Sequence, residues 1–158
     1  MRPPGAAGFG AEPAPVVGAP GPLEISMTDT AREAIAVVTA FFKAMETLDY
    51  DRALPLIAPD CEYTNLPMAT VRGPAGVRAV LEPFFAPTLA NEFQFLRCFA
   101  DGGRVCVERL DRHKLGPDRW AELPVVGVIE VENGLIKVWR DYFDLATLVR
   151  QWPELQPA

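Results

Sequence analysis

Trp120–Phe143 reads WAELPVVGVIEVENGLIKVWRDYF, and this stretch decides the fold. Apolar side chains recur at alternate positions on both sides of Asn133-Gly134, the period of a strand with one buried face. Asn-Gly tolerates the positive φ angles of a type I′ turn, so Trp120–Glu132 and Leu135–Phe143 form a hairpin. Upstream, Glu92–Ala100 and Arg104–Leu115 flank Asp101-Gly102-Gly103, a second hairpin signal. Downstream, Leu145–Gln151 is a short helix.

Further upstream the period changes. Ile35, Val38, Phe42 and Met45, with Phe41 and Leu48 beside them, have helical spacing, and Thr30-Ala-Arg-Glu33 fits a capping box at the start. A second short helix is predicted from Asp51 to Ile57, ended by Pro59, followed by a strand from Cys61 to Leu66 that Pro67 stops. Gly73-Pro74 opens a third helix with Val77, Val80, Leu81 and Phe84 on one side, and Pro87 closes it. Helices followed by hairpins imply an α+β domain in which helices pack on the concave side of a strongly curved antiparallel or mixed sheet. Such a cone-shaped arrangement encloses an apolar cavity.

The chain has 158 residues, enough for one domain with a real core. Residues 1–26 are read as a disordered Pro/Gly/Ala-rich tail, since such a composition cannot bury enough apolar area to offset its ordering entropy. Translation starting at Met27 is the other reading of the same segment. Residues 27–158 then form the single domain. The net charge of −6 and the absence of a basic stripe exclude nucleic acid as an expected partner. No apolar run approaches the roughly 20 residues that span a bilayer, so no membrane partner is expected either. Cys61, Cys98 and Cys106 are read as buried thiols in a cytoplasmic protein, with a Cys98–Cys106 bridge across the hairpin as the alternative.

Three strand segments place polar side chains at i and i+2: Tyr63-Thr-Asn65, Arg109-Leu-Asp111 and Trp139-Arg-Asp141. Each pair projects from one face of its strand. Asp141 shares a face with Trp139 and Phe143, which points it inward, although a surface pair with Arg140 or Arg150 satisfies the same sequence. Arg109 and Asp111 share a face that is either a catalytic wall or a solvated salt bridge, because Glu108 and Arg112 make the opposite face equally polar. His113, the lone histidine, continues the Arg109 face toward the rim, where a histidine is ordinarily solvated. Tyr63 and Asn65 each offer a donor and an acceptor and together can hold one water, or they are simply a buried tyrosine and a turn asparagine.

Taken together, Tyr63-x-Asn65-x-Pro67, Arg109-x-Asp111 and Trp139-Arg-Asp-Tyr-Phe-Asp144 resemble the limonene-1,2-epoxide hydrolases. Val71-Arg-Gly, Ala100-Asp-Gly and Gly134-Leu-Ile-Lys-Val fit the same pattern, and the likeness runs from Thr30 to Trp152. The resemblance implies the fold of nuclear transport factor 2 and the SnoaL-like proteins, a homodimer, and hydrolysis of a small apolar epoxide by water without metal or cofactor. It makes Asp141 the general base, Tyr63 and Asn65 the water holders, Asp111 the acid that protonates the epoxide oxygen, and Arg109 the bridge between the carboxylates. Phe42, Met45, Phe84, Trp139 and Phe143 are the expected substrate-binding wall, sized for a terpene-like or larger epoxide. His113 departs from the aliphatic residue usual at its position and, pointing inward, makes limonene itself a less certain substrate. Two other classes remain: a ketosteroid isomerase- or polyketide cyclase-like enzyme on the same fold, which needs no arginine between its carboxylates, and a non-catalytic ligand-binding or dimerisation module.

Overall fold

The computed structural model describes residues Met27 to Leu155; the predicted tail lies outside the described residues. Helix α1 (Asp29–Glu46) is capped by Thr28, whose Oγ1 accepts from the Ala31 amide at 3.2 Å. The capping box expected at Thr30 is therefore not formed: the N-cap lies two residues earlier, and three residues after it stands Ala31, which has no side-chain acceptor. Thr28 offers the same hydroxyl, and Asp29 sets an acid in the first turn, where the helix dipole favours it.

Helix α2 (Tyr50–Ala53) is a single turn capped by Asp49 and continued by the 3-10 turn Leu54–Leu56. It is shorter than the helix expected to run to Ile57. Strand β1 starts at that residue and runs Ile57–Leu66, with Pro59 inside it rather than ending a helix. The register with its neighbour shifts between Ile57 and Glu62, so Pro59, which has no amide to pair, sits where the ladder is interrupted.

The short strand β2 (Val71–Arg72) leads into helix α3 (Gly73–Phe85). Strands β3 (Ala90–Asp101), β4 (Arg104–Gly116), β5 (Arg119–Glu132) and β6 (Leu135–Phe143) follow as a meander, and helix α4 (Leu145–Gln151) closes the chain. Asn133 and Gly134 have φ of +50° and +75°, as the turn between β5 and β6 requires.

The six strands lie in the order β2-β1-β6-β5-β4-β3 in an open sheet. It is mixed: β1 runs parallel to β6, whereas every other pair is antiparallel. The parallel pair brings Tyr63 opposite Trp139 and Asn65 opposite Asp141, joining two segments that are distant in sequence. Bulges in the β1, β3, β4 and β5 ladders bend the sheet.

Burial alternates along β4 and β5, and only one parity is covered. Val38, Phe41, Phe42 and Met45 of α1 and Val77, Leu81 and Phe85 of α3 pack on that face. Each such side chain contributes roughly 1.5–3 kcal/mol on burial, enough to fix which face turns inward. Leu148 of α4 and Trp152 form a second cluster with Leu123 and Val125. Cys98 pairs with Val107 and Cys106 with Phe99, so the two thiols point to opposite sides and form no bridge. Cys61 is buried as expected, but Cys98 and Cys106 are only half-buried.

Candidate active site

Between the helices and the covered face lies a cavity of about 150 Å³. Tyr63, Asn65, Arg109, Asp111 and Asp141 all line it, drawn from β1, β4 and β6. So do Phe42, Met45, Phe84, Trp139 and Phe143. The ambiguity of β4 is thereby resolved: Arg109, Asp111 and His113 face inward, while Glu108, Leu110 and Arg112 face outward.

Arg109 is the centre of the polar floor and is 1 % exposed. Its Nη1 and Nη2 donate to Asp141 Oδ1 and Oδ2 at 3.1 and 2.5 Å, and its Nε donates to Asp111 Oδ1 at 2.7 Å. The guanidinium thus grips one carboxylate with its fork and the other with its side, a geometry that lysine cannot supply. Phe42 covers it, with the ring centroid 4.5 Å from Cζ. Burial alone would lower the arginine's affinity for its proton, but the two carboxylates overcome this and hold it firmly charged.

Asp141 accepts a further hydrogen bond from the Trp139 indole at 2.8 Å. Trp139 is therefore more than a wall residue. Its place two residues before Asp141 revealed the shared face, but not the donor. Its ring also lies 4.2 Å from that of Tyr63, centroid to centroid. Asp111 has a different environment. Burial pushes its carboxyl up to about 6; Arg109 opposes the rise and the nearby Asp141 adds to it. Its Oδ2 has no protein partner among the described residues. Burial, then the nearby Asp141, holds the Tyr63 hydroxyl well above its ordinary value, against pulls from Arg109 and from hydrogen bonding with Asn65.

Gly127 completes the floor. It stands opposite Asp141 on β5, and a Cβ there would lie 2.7 Å from Arg109 Nη1 and 3.0 Å from Asp141 Oδ1. The missing side chain is the space through which the arginine of β4 reaches the aspartate of β6. A lone glycine inside a strand pattern is the signal that marks such an approach.

His113 was expected at a solvated rim and is instead 2 % exposed in the cavity wall. α3, Phe93 and Trp152 cover that end of β4, which strand parity could not reveal.

The family model for the limonene-1,2-epoxide hydrolase catalytic domain matches residues 32–154. The chain belongs to this family. Epoxide hydrolase EphG of Mycobacterium tuberculosis is 35% identical over 108 residues, covering 68% of this chain and 71% of the relative. Among solved structures, an M. tuberculosis LEH-like epoxide hydrolase superposes with a TM-score of 0.67 at 32% identity, over 79% of this chain and 96% of the other. An NTF2-like protein of unknown function from Burkholderia pseudomallei gives the same TM-score, 0.67, at 23% identity over 75% and 96% of the two chains. A putative polyketide cyclase from Xanthomonas campestris reaches 0.68 at 21% identity over 77% and 98%. The last two speak for the NTF2-like fold alone. No described helix of this family member is long and apolar enough to cross a membrane.

Proposed function

We propose that this limonene-1,2-epoxide hydrolase family member adds water to an apolar epoxide in one step, giving a vicinal diol without a metal or cofactor. The observation that carries this reading is the single arginine holding two buried carboxylates at the floor of an apolar cavity.

Water is a weak nucleophile at neutral pH and an alkoxide is a poor leaving group, so epoxide opening gains from a base and an acid acting together. Asp141 is the base. Arg109 and the Trp139 indole fix its orientation by hydrogen bonds, and Asn65 and Tyr63 stand beside it on β1 to position the water. Asp111 is the acid. Its raised pKa and free Oδ2 suit a carboxyl that carries a proton to the epoxide oxygen. As the water oxygen bonds to one ring carbon, the carbon–oxygen bond of the epoxide breaks. The water proton passes to Asp141 and the Asp111 proton to the departing oxygen. A proton must then return from Asp141 to Asp111, and two carboxylates on one guanidinium are suited to that exchange. Each proton transfer contributes about 10²–10⁴-fold, and holding water against the epoxide adds a positioning gain.

Phe42, Met45, Phe84, Trp139 and Phe143 give the cavity its apolar lining and support an apolar substrate. The test is turnover of limonene-1,2-epoxide and a panel of larger apolar epoxides in ¹⁸O-labelled water. Label in the diol of the first turnover is expected. Unlabelled first-turnover diol would point to a covalent intermediate and overturn the one-step mechanism. Absence of diol from the whole panel would overturn the activity.

A further inference from the structure

The mechanism leaves one buried polar group of the cavity unused. His113 is the only histidine in the chain. It stands two residues beyond Asp111 on the inward face of β4, among the rings of Phe84, Phe85, Phe93 and Trp152 at 5.4–6.1 Å between centroids. Its protonation is fixed by a chain of hydrogen bonds that starts at the backbone. Thr88 Oγ1 donates to the Phe85 carbonyl at 2.8 Å. A carbonyl only accepts, so the Thr88 proton is committed there and its lone pair receives Asn91 Nδ2 at 2.8 Å. The Asn91 amide is thereby turned with Oδ1 toward His113 Nδ1, also at 2.8 Å. Nδ1 must carry the proton, which leaves Nε2 an acceptor in the neutral ring.

The ring is neutral at physiological pH, since burial and then the charge of Arg109 push its pKa down to about 4. Nε2 has no hydrogen-bond partner among the described residues, and His113 lines the cavity. The result is a fixed, uncharged acceptor facing the space a substrate would fill.

We propose that His113 Nε2 recognises a hydroxyl group on the substrate, so that the preferred substrates are apolar epoxides bearing an alcohol. The inference rests on the hydrolase reading for the epoxide, but not for the alcohol. A carboxylate has no proton to donate to Nε2, and a ketone or ester has no donor. An ammonium group would place a second cation near Arg109. Two residues along a strand span about 7 Å, so the hydroxyl would lie roughly that far from an epoxide oxygen held by Asp111.

The single histidine allows a direct test on the untagged chain labelled with ¹⁵N-histidine. The free protein should show the Nδ1-protonated tautomer. α-Terpineol, an unreactive alcohol, should shift the Nε2 signal, whereas its methyl ether should leave it in place. For turnover, the wild type should prefer α-terpineol epoxide to p-menthene epoxide by about tenfold in kcat/KM. His113→Leu should lose that preference while keeping turnover of p-menthene epoxide. His113→Gln, which can donate to Asn91 and still present an oxygen, should retain part of it. An Nε2-protonated ring, an Nε2 signal indifferent to the alcohol, or equal losses on both epoxides in the folded Leu variant would overturn the proposal. If the wild type turns over neither these epoxides nor any of the panel, the hydrolase reading fails while the NMR titration still decides the role of His113.

Discussion

Arg109 and Arg112 stand on the same strand, and each holds two carboxylates. Arg109 bridges Asp111 and Asp141 on the inner face. Arg112 bridges Glu92 and Glu122 on the outer face, with Nη1 and Nε at 2.5 and 2.8 Å from them. In composition the two clusters are nearly the same; in environment they are opposites. The inner side chains are 2–8 % exposed, whereas Arg112 is 24 % exposed and its glutamates 41 and 48 %. Water screens the outer cluster, so it contributes little to stability. The inner cluster has lost its water, and each charge depends on the others. Burial, not residue identity, separates a solvated ion-pair cluster from the desolvated one to which the proposed mechanism assigns proton transfer.

The largest expected contrast is in turnover. Asp141→Asn and Asp111→Asn should each lower diol formation by about 10²–10⁴-fold with the circular dichroism spectrum unchanged. Arg112→Gln should stay within about a factor of two. Near-normal turnover by either aspartate variant would sink the assigned roles.

Stability gives the next contrast. Arg109→Met leaves two buried carboxylates without their partner and should cost about 3–5 kcal/mol in urea unfolding at pH 7. Arg112→Met, which breaks only solvent-screened pairs, should cost far less. Equal costs would mean that the floor of the cavity is wetter than its burial implies.

The smallest effect sharpens the comparison through pH. Asp111 binds its proton more tightly folded, at about 6, than its ordinary 3.8. The stability this supplies is present below about pH 4 and is lost as pH rises through about 6. Wild-type stability relative to Asp111→Asn should therefore fall across that window, as thermal melts at a series of pH values would reveal. If Asp111 must carry a proton in the free enzyme, kcat/KM should also decline above about pH 6. A wild-type advantage that grows with pH would show that Arg109 outweighs burial at Asp111.

Much of this was legible in the chain. The Asn133-Gly134 turn and the alternation around it fixed β6, and the predicted Leu135–Phe143 and Leu145–Gln151 match the observed elements residue for residue. The i, i+2 pairs identified which side chains share a face, because strand geometry alone dictates it. The boundaries at Thr30 and Ile57 were misread because capping and pairing have local competitors. Thr28 offers the same hydroxyl as Thr30, and an interrupted ladder tolerates the proline that elsewhere ends a helix.

By itself, then, the sequence determined periodicity, turn chemistry and the side of each strand on which every polar residue stands. Those are properties of a few neighbouring residues and their backbone angles. Only the tertiary structure decided which side was dry. It paired β1 with β6, so that Asn65 met Asp141, and it left the gap at Gly127 through which Arg109 crosses. It also enclosed His113 under rings from α3, β3 and the C-terminal segment. Such outcomes depend on segments far apart in the chain arriving at one place, and desolvation, which raises the proton affinity of Asp111 and lowers that of His113, exists only once they have.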